Sequence, residues 1–128
     1  MRDWSSVPYP PWWVERAARR RAELDAAVAR IRTVVDETPT IVGALVFGSY
    51  ATDRVAPTSD LDVMIVTTEP AGDDWTKRWA RIHERLALAV TCDLVVYEPA
   101  EFEKVKQERN FVAQAWREGI WIGAATPA

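Results

Sequence analysis

Two aspartates separated by one residue, Asp60 and Asp62, open an apolar run, Val63-Met64-Ile65-Val66. Side chains alternate faces along a strand, so both carboxylates are expected on one side, their Cα atoms roughly 6.6 Å apart, with Leu61, Val63 and Ile65 facing the other way. Like charges held this close repel unless a cation lies between them or water screens both. Hard divalent ions such as Mg²⁺ take oxygen ligands of this kind and complete their shell with water and substrate phosphates. An isolated Asp-x-Asp is more often a solvated pair at the start of a strand, so the pair needs company before it signifies chemistry.

That company lies ten residues upstream, where the apolar run 41–47 ends in Gly48-Ser49. Glycine lets a backbone turn sharply and approach a ligand with no Cβ in the way. Ser49 adds a hydroxyl and an amide, and a short helix over 49–53 would aim free N–H groups at an anion such as phosphate. Phosphate donors and metal-binding acids are thereby expected on neighbouring strands.

Gly48-Ser49, the spacer, Asp60-Leu61-Asp62 and a later acid, Asp93 in Thr-Cys-Asp-Leu-Val-Val-Tyr, together resemble the signature of the DNA polymerase β-like nucleotidyltransferase superfamily. The resemblance covers most of 41–122, and the chain length and the ending Trp116-Arg-Glu-Gly-Ile-Trp-Ile are similar to the minimal nucleotidyltransferases of prokaryotes. It implies an α+β fold, a small mixed sheet flanked by helices. It also implies transfer of a nucleoside monophosphate, AMP from ATP, to a hydroxyl with pyrophosphate leaving. Asp60, Asp62 and Asp93 would hold two Mg²⁺ or Mn²⁺ ions, Asp93 also acting as general base, and Gly48, Ser49, Arg54 and Ser59 would hold the nucleotide. Relatives of this size are paired with HEPN-type proteins in toxin–antitoxin modules, where AMPylation silences the toxin. An aminoglycoside-type adenylyltransferase and a non-catalytic nucleotide-binding subunit are the alternatives.

One departure bears on nucleotide affinity. Where many relatives carry Arg-Gly, this chain has Thr52-Asp53 followed by Arg54. Asp53 sets a negative charge near the expected triphosphate unless it faces solvent or caps the turn, and Arg54 can supply the missing positive charge.

The elements that must position these residues fit one domain of 128 residues. Net charge is −3, so no broad basic surface points to nucleic acid. A single cysteine, Cys92, excludes an intrachain disulfide and suits a reducing, cytoplasmic setting. No apolar run approaches membrane-spanning length. Residues 1–11 form a Pro/Trp-rich arm, expected to fold back on the body or to dock on a partner. Trp13, Ala17, Leu24, Ala27, Val28, Ile31 and Val35 then recur on one face of a helix over 12–37. Arg16, Arg19, Arg20 and Arg21 read as a solvated face of it, paired with Glu15, Glu23 and Asp25.

Beyond the first two strands, Asp73 or Asp74 is expected to cap a helix whose stripe Trp75, Trp79, Ile82, Leu86 and Ala89 is core. His83, beside that stripe, is expected to be half-buried. Strand 93–97 follows, then a helix from Pro99, a helix 111–118 stopped by a left-handed Gly119, and a short edge strand 120–122.

Overall fold

The structure, a computed structural model, describes residues 9–123; the arm residues 1–8, with Trp4, lie outside them. Proline at the first helical position starts α1 (Pro11–Glu37), and Thr38 ends it. Strands β1 (Ile41–Phe47) and β2 (Leu61–Thr67) follow, joined by the loop that holds Asp53 and Arg54. Helix α2 (Trp75–Leu86) precedes β3 (Cys92–Tyr97); α3 (Pro99–Glu108), α4 (Asn110–Glu118) and β4 (Ile120–Ile122) complete the chain. The sheet order is β3-β2-β1-β4, with β1 antiparallel to β2 and β4, and β2 parallel to β3. This is the expected mixed α+β sheet.

Alternation along the strands divides the core in two. Ala44, Val46, Leu61, Val63, Ile65 and Leu94 pack against Leu24, Ile31 and Val35 of α1 and Ile82 and Leu86 of α2. On the other face Leu45, Met64 and Val66 pack against Phe102 of α3 and Val112 and Ala115 of α4. Apolar residues therefore fill both faces of β1 and β2, as a strand covered from both sides requires.

Asp74 caps α2, accepting from the Thr76 backbone N–H at 3.0 Å. The α2 stripe differs from expectation at both ends: Trp75 is 64% exposed, and the helix stops before Ala89, at a left-handed Ala87. Arg78 is buried instead, donating to Glu69 O at 3.2 Å and Val96 O at 3.3 Å, while Trp79 Nε1 donates to Leu94 O at 2.9 Å. An exposed sheet edge leaves carbonyls open to stray pairing, and two side chains of α2 cover these. His83 is exposed and stacks on Trp79 with ring centroids 4.8 Å apart. Gly119 is extended (φ −81°, ψ 173°), so α4 runs directly into β4 without a left-handed cap. Its role is room: a Cβ there would meet Ala115 O at 2.5 Å and Leu45 Cδ1 at 2.7 Å.

Candidate active site

The site lies where β1 ends and β2 and β3 begin. Parallel register sets Asp62 directly opposite Asp93, and antiparallel register sets Asp62 opposite Phe47. Residues opposite one another share a face of the sheet, so the two carboxylates emerge together at the end of the face that α3 and α4 cover further along.

Gly48 makes this approach possible. Its φ is +75°, in the region that favours glycine, and a Cβ built on it would lie 2.0 Å from Asp62 Oδ2. The turn therefore passes against the carboxylate with no space for any other residue. Residues 49–53 do not form the expected short helix; they are hydrogen-bonded turns. Gly48 O accepts from Thr52 N at 3.1 Å and from Thr52 Oγ1 at 3.0 Å, and Ser49 O accepts from Arg54 N at 2.8 Å. The left-handed Asp53 that follows, at φ 57°, ends helical growth. Further along the loop Ser59 Oγ accepts from Ala56 N at 2.8 Å, so this hydroxyl holds the loop in shape.

Asp62 is half-buried and its carboxyl titrates above the usual carboxylate range. Burial is the main cause; next come the Asp93 charge and a hydrogen bond with Asp93, and last the Asp60 charge. Cys92, opposite Leu61, is pushed up to about 11 by burial and by the charges of Asp93, Asp62 and Asp60 in that order. Three aspartates thus contribute to one negative field.

Asp60 lies just before β2, which begins at Leu61. Its Oδ1 lies 3.6 Å from Arg20 Nη2, and Arg20 Nε donates to Ser59 O at 2.7 Å. Asp62 and Asp93 are therefore gathered by the sheet, while Asp60 is held by helix α1. Among the described residues no three His, Cys, Asp or Glu side chains are grouped so as to hold a metal. The donor set nevertheless suits a hard divalent ion: carboxylate oxygens, two of them at facing positions of adjacent strands.

Arginines of α1 reach the loop at a second point. Arg21 Nη1 pairs with Asp53 Oδ1 at 2.7 Å and lies over the Tyr50 ring at 4.5 Å, and Tyr50 Oη donates to Asp25 Oδ1 at 2.5 Å. Asp53, left-handed at φ 57°, points its charge at Arg21. Arg54 is exposed on the same loop. Pairing of Arg20 with Glu23 and Arg21 with Asp25 agrees with the sequence, but the contacts to the loop were missed. A signal existed: Arg20 and Arg21 fall on the inward stripe between Ala17 and Leu24, where a purely solvated arginine has no place.

The family model described as nucleotidyltransferase domain matches residues 28–116. No curated protein matches the chain. Among solved structures, one from Sulfolobus solfataricus, a protein provisionally assigned as a nucleotidyltransferase, superposes with a TM-score of 0.52 at 16% identity, covering 91% of this chain and 90% of that one. At that identity the likeness is one of fold.

Proposed function

The chain belongs to the nucleotidyltransferase domain family, and from that premise we propose that it transfers AMP from ATP to a hydroxyl, using Asp60, Asp62 and Asp93. The observation that carries this reading is the register that sets Asp62 against Asp93 beside the Gly48 turn. A like-charged pair at a sheet end has no use in packing, and a turn with no room for a Cβ brings backbone against it.

In this reading Asp60, Asp62 and Asp93 hold two Mg²⁺ or Mn²⁺ ions. When bound, such ions neutralise the triphosphate and lower the barrier to in-line displacement at the α-phosphorus. The chain's own residues do the rest. Gly48 and Ser49 orient the triphosphate through backbone and hydroxyl, with Arg54 and Ser59 on the same loop. Asp93, exposed at the mouth, accepts the acceptor's proton as its oxygen bonds to the α-phosphorus. The bond from that phosphorus to the bridging oxygen breaks, and pyrophosphate leaves with the electron pair. Arg21 pairs with Asp53 and so supplies a counter-charge to it, which supports nucleotide binding on this loop.

The acceptor in this reading is a protein of the HEPN type, adenylylated within a toxin–antitoxin pair. The test is to co-express the chain with such a partner and weigh the partner intact with and without ATP and Mg²⁺. A gain of one or more AMP is expected, absent with Asp62→Asn or Asp93→Asn; a wild-type rate in either variant would remove these residues from the mechanism.

A further inference from the structure

Helix α1 begins well before the core it packs on. Its first buried residue is Leu24, so more than three turns of the 27-residue helix lie before the core begins. That half, with Tyr9 just before it, is rich in groups that are costly to leave in water: Trp12 is 54% exposed, Val14 51% and Tyr9 41%. The exposed rings are ordered among themselves. Tyr9 stacks on Trp13 with centroids 4.2 Å apart, and the Arg16 guanidinium lies over the Trp12 ring at 5.2 Å.

Position matters more than exposure. Trp12, Arg16 and Arg20 stand at i, i+4 and i+8 on one side of α1, and Arg20 is the residue that contacts Ser59 and Asp60. At 1.5 Å per residue the stripe reaches about 12 Å outward from Arg20 to Trp12. Its inner end is at the acids. Residues 9–22 carry four arginines against one glutamate in a chain of net charge −3. Arg20 and Arg21 are committed to the loop, whereas Arg16 and Arg19 make no ion pair among the described residues.

We propose that this stripe docks the acceptor, and that the acceptor is a polypeptide segment carrying carboxylates and an apolar side chain at least ~12 Å from its reactive hydroxyl. The proposal rests on the nucleotidyl-transfer reading above and adds to it the chemistry of the acceptor. Charge complementarity selects the occupant. Carboxylates meet Arg16 and Arg19, an apolar side chain covers Trp12, and the neutral hydroxyl enters beside Asp93. A polynucleotide fits worse, because its phosphates continue at every residue and would run into Asp60, Asp62 and Asp93.

The test uses the full chain and a fluorescein-labelled random copolymer of glutamate and tyrosine, with binding read by anisotropy at low salt and without ATP. Arg16→Glu and Trp12→Ala are expected to weaken binding at least tenfold each. Arg117→Glu, a reversal on exposed α4, should leave it within twofold. With ATP and Mg²⁺, the same two variants should raise KM for the copolymer and spare kcat, with ATP binding unchanged. Equal weakening by Arg117→Glu would make the attraction one of net charge and overturn the site. So would tighter, Arg16-dependent binding of oligouridylate, or loss of self-association in the variants by sedimentation. Binding that depends on Arg16 without any AMP transfer would instead overturn the catalytic reading and leave the docking stripe standing.

Discussion

At the scale of single residues the site is an arrangement of charges without enough counter-charge of its own. Asp62 titrates high because burial and Asp93 both disfavour its anion. A carboxyl whose folded pKa exceeds its unfolded one favours the fold while protonated, at low pH, and that contribution is lost as pH rises through the folded value. At neutral pH the ionised Asp62 is therefore a burden. Asp62→Asn is expected to raise the melting temperature of the ion-free protein at pH 7, the gain shrinking as pH falls into the carboxylate range, while AMP transfer drops at least ~100-fold. Calorimetry across pH checks the first half and radiolabelled transfer the second. Cys92 is raised by its burial first and then by the same acids. With its thiol moved from 9.0 to about 11, its thiolate fraction at pH 7.5 is about one hundredth of the ordinary one. Iodoacetamide labelling of the ion-free protein should be slow by that factor and should keep accelerating past pH 9.

At the scale of elements the site depends on two close approaches, a turn against a strand and a helix against a loop. Gly48→Ala meets both a left-handed φ and a carboxylate oxygen 2.0 Å from the new Cβ, so the turn or Asp62 must move. A stability loss of about 1–2 kcal/mol is expected, with transfer reduced further than stability explains; urea titration and kinetics on one preparation separate the two. Arg20 joins α1 to the loop through a bond to Ser59 O and an ion pair to Asp60, with a side chain only 17% exposed. Arg20→Met should cost about 1–3 kcal/mol, the range for a partly buried hydrogen bond from a charged donor. Arg20→Lys should recover the charge but not the paired geometry. Mn²⁺ binding followed by electron paramagnetic resonance tests whether the freed Asp60 also changes ion affinity.

At the scale of the whole molecule, the sheet holds two of the three catalytic candidates, Asp62 and Asp93, on adjacent strands while α1 spans the core and the site at once. Leu24, Ile31 and Val35 anchor it under the sheet; Arg20 and Arg21 anchor it to the loop. Ligands that bind only the folded chain must then stabilise all of it. With Mg²⁺ and ATP at a hundred times their dissociation constant, the stabilisation is ~2.7 kcal/mol, a rise of about 10 °C in melting temperature for a chain of this size. EDTA should abolish the rise, and Asp93→Asn should reduce it; scanning fluorimetry with and without chelator is sufficient.

The sequence alone was enough for the strands, most of the helices and the family resemblance, because each was written locally. Period-two and period-3.6 apolar patterns marked the elements, the pair Asp73-Asp74 announced a cap that Asp74 makes, and Gly48-Ser49 with Asp60-Leu61-Asp62 carried a recognisable spacing. What it could not decide was relative placement. The register that sets Asp62 against Asp93 joins strands thirty residues apart, and the contacts of Arg20 with Ser59 and Asp60 cross thirty-nine and forty positions. Nothing in local propensity encodes such distances; they come from the sheet order and from where α1 lies across it. For the same reason Trp75, expected in the core, lies outside it, while Arg78 is buried. A stripe on a helix shows which residues are apolar, but only the neighbouring strand edge determines that a guanidinium, able to bond two carbonyls, is buried there and an indole is left outside.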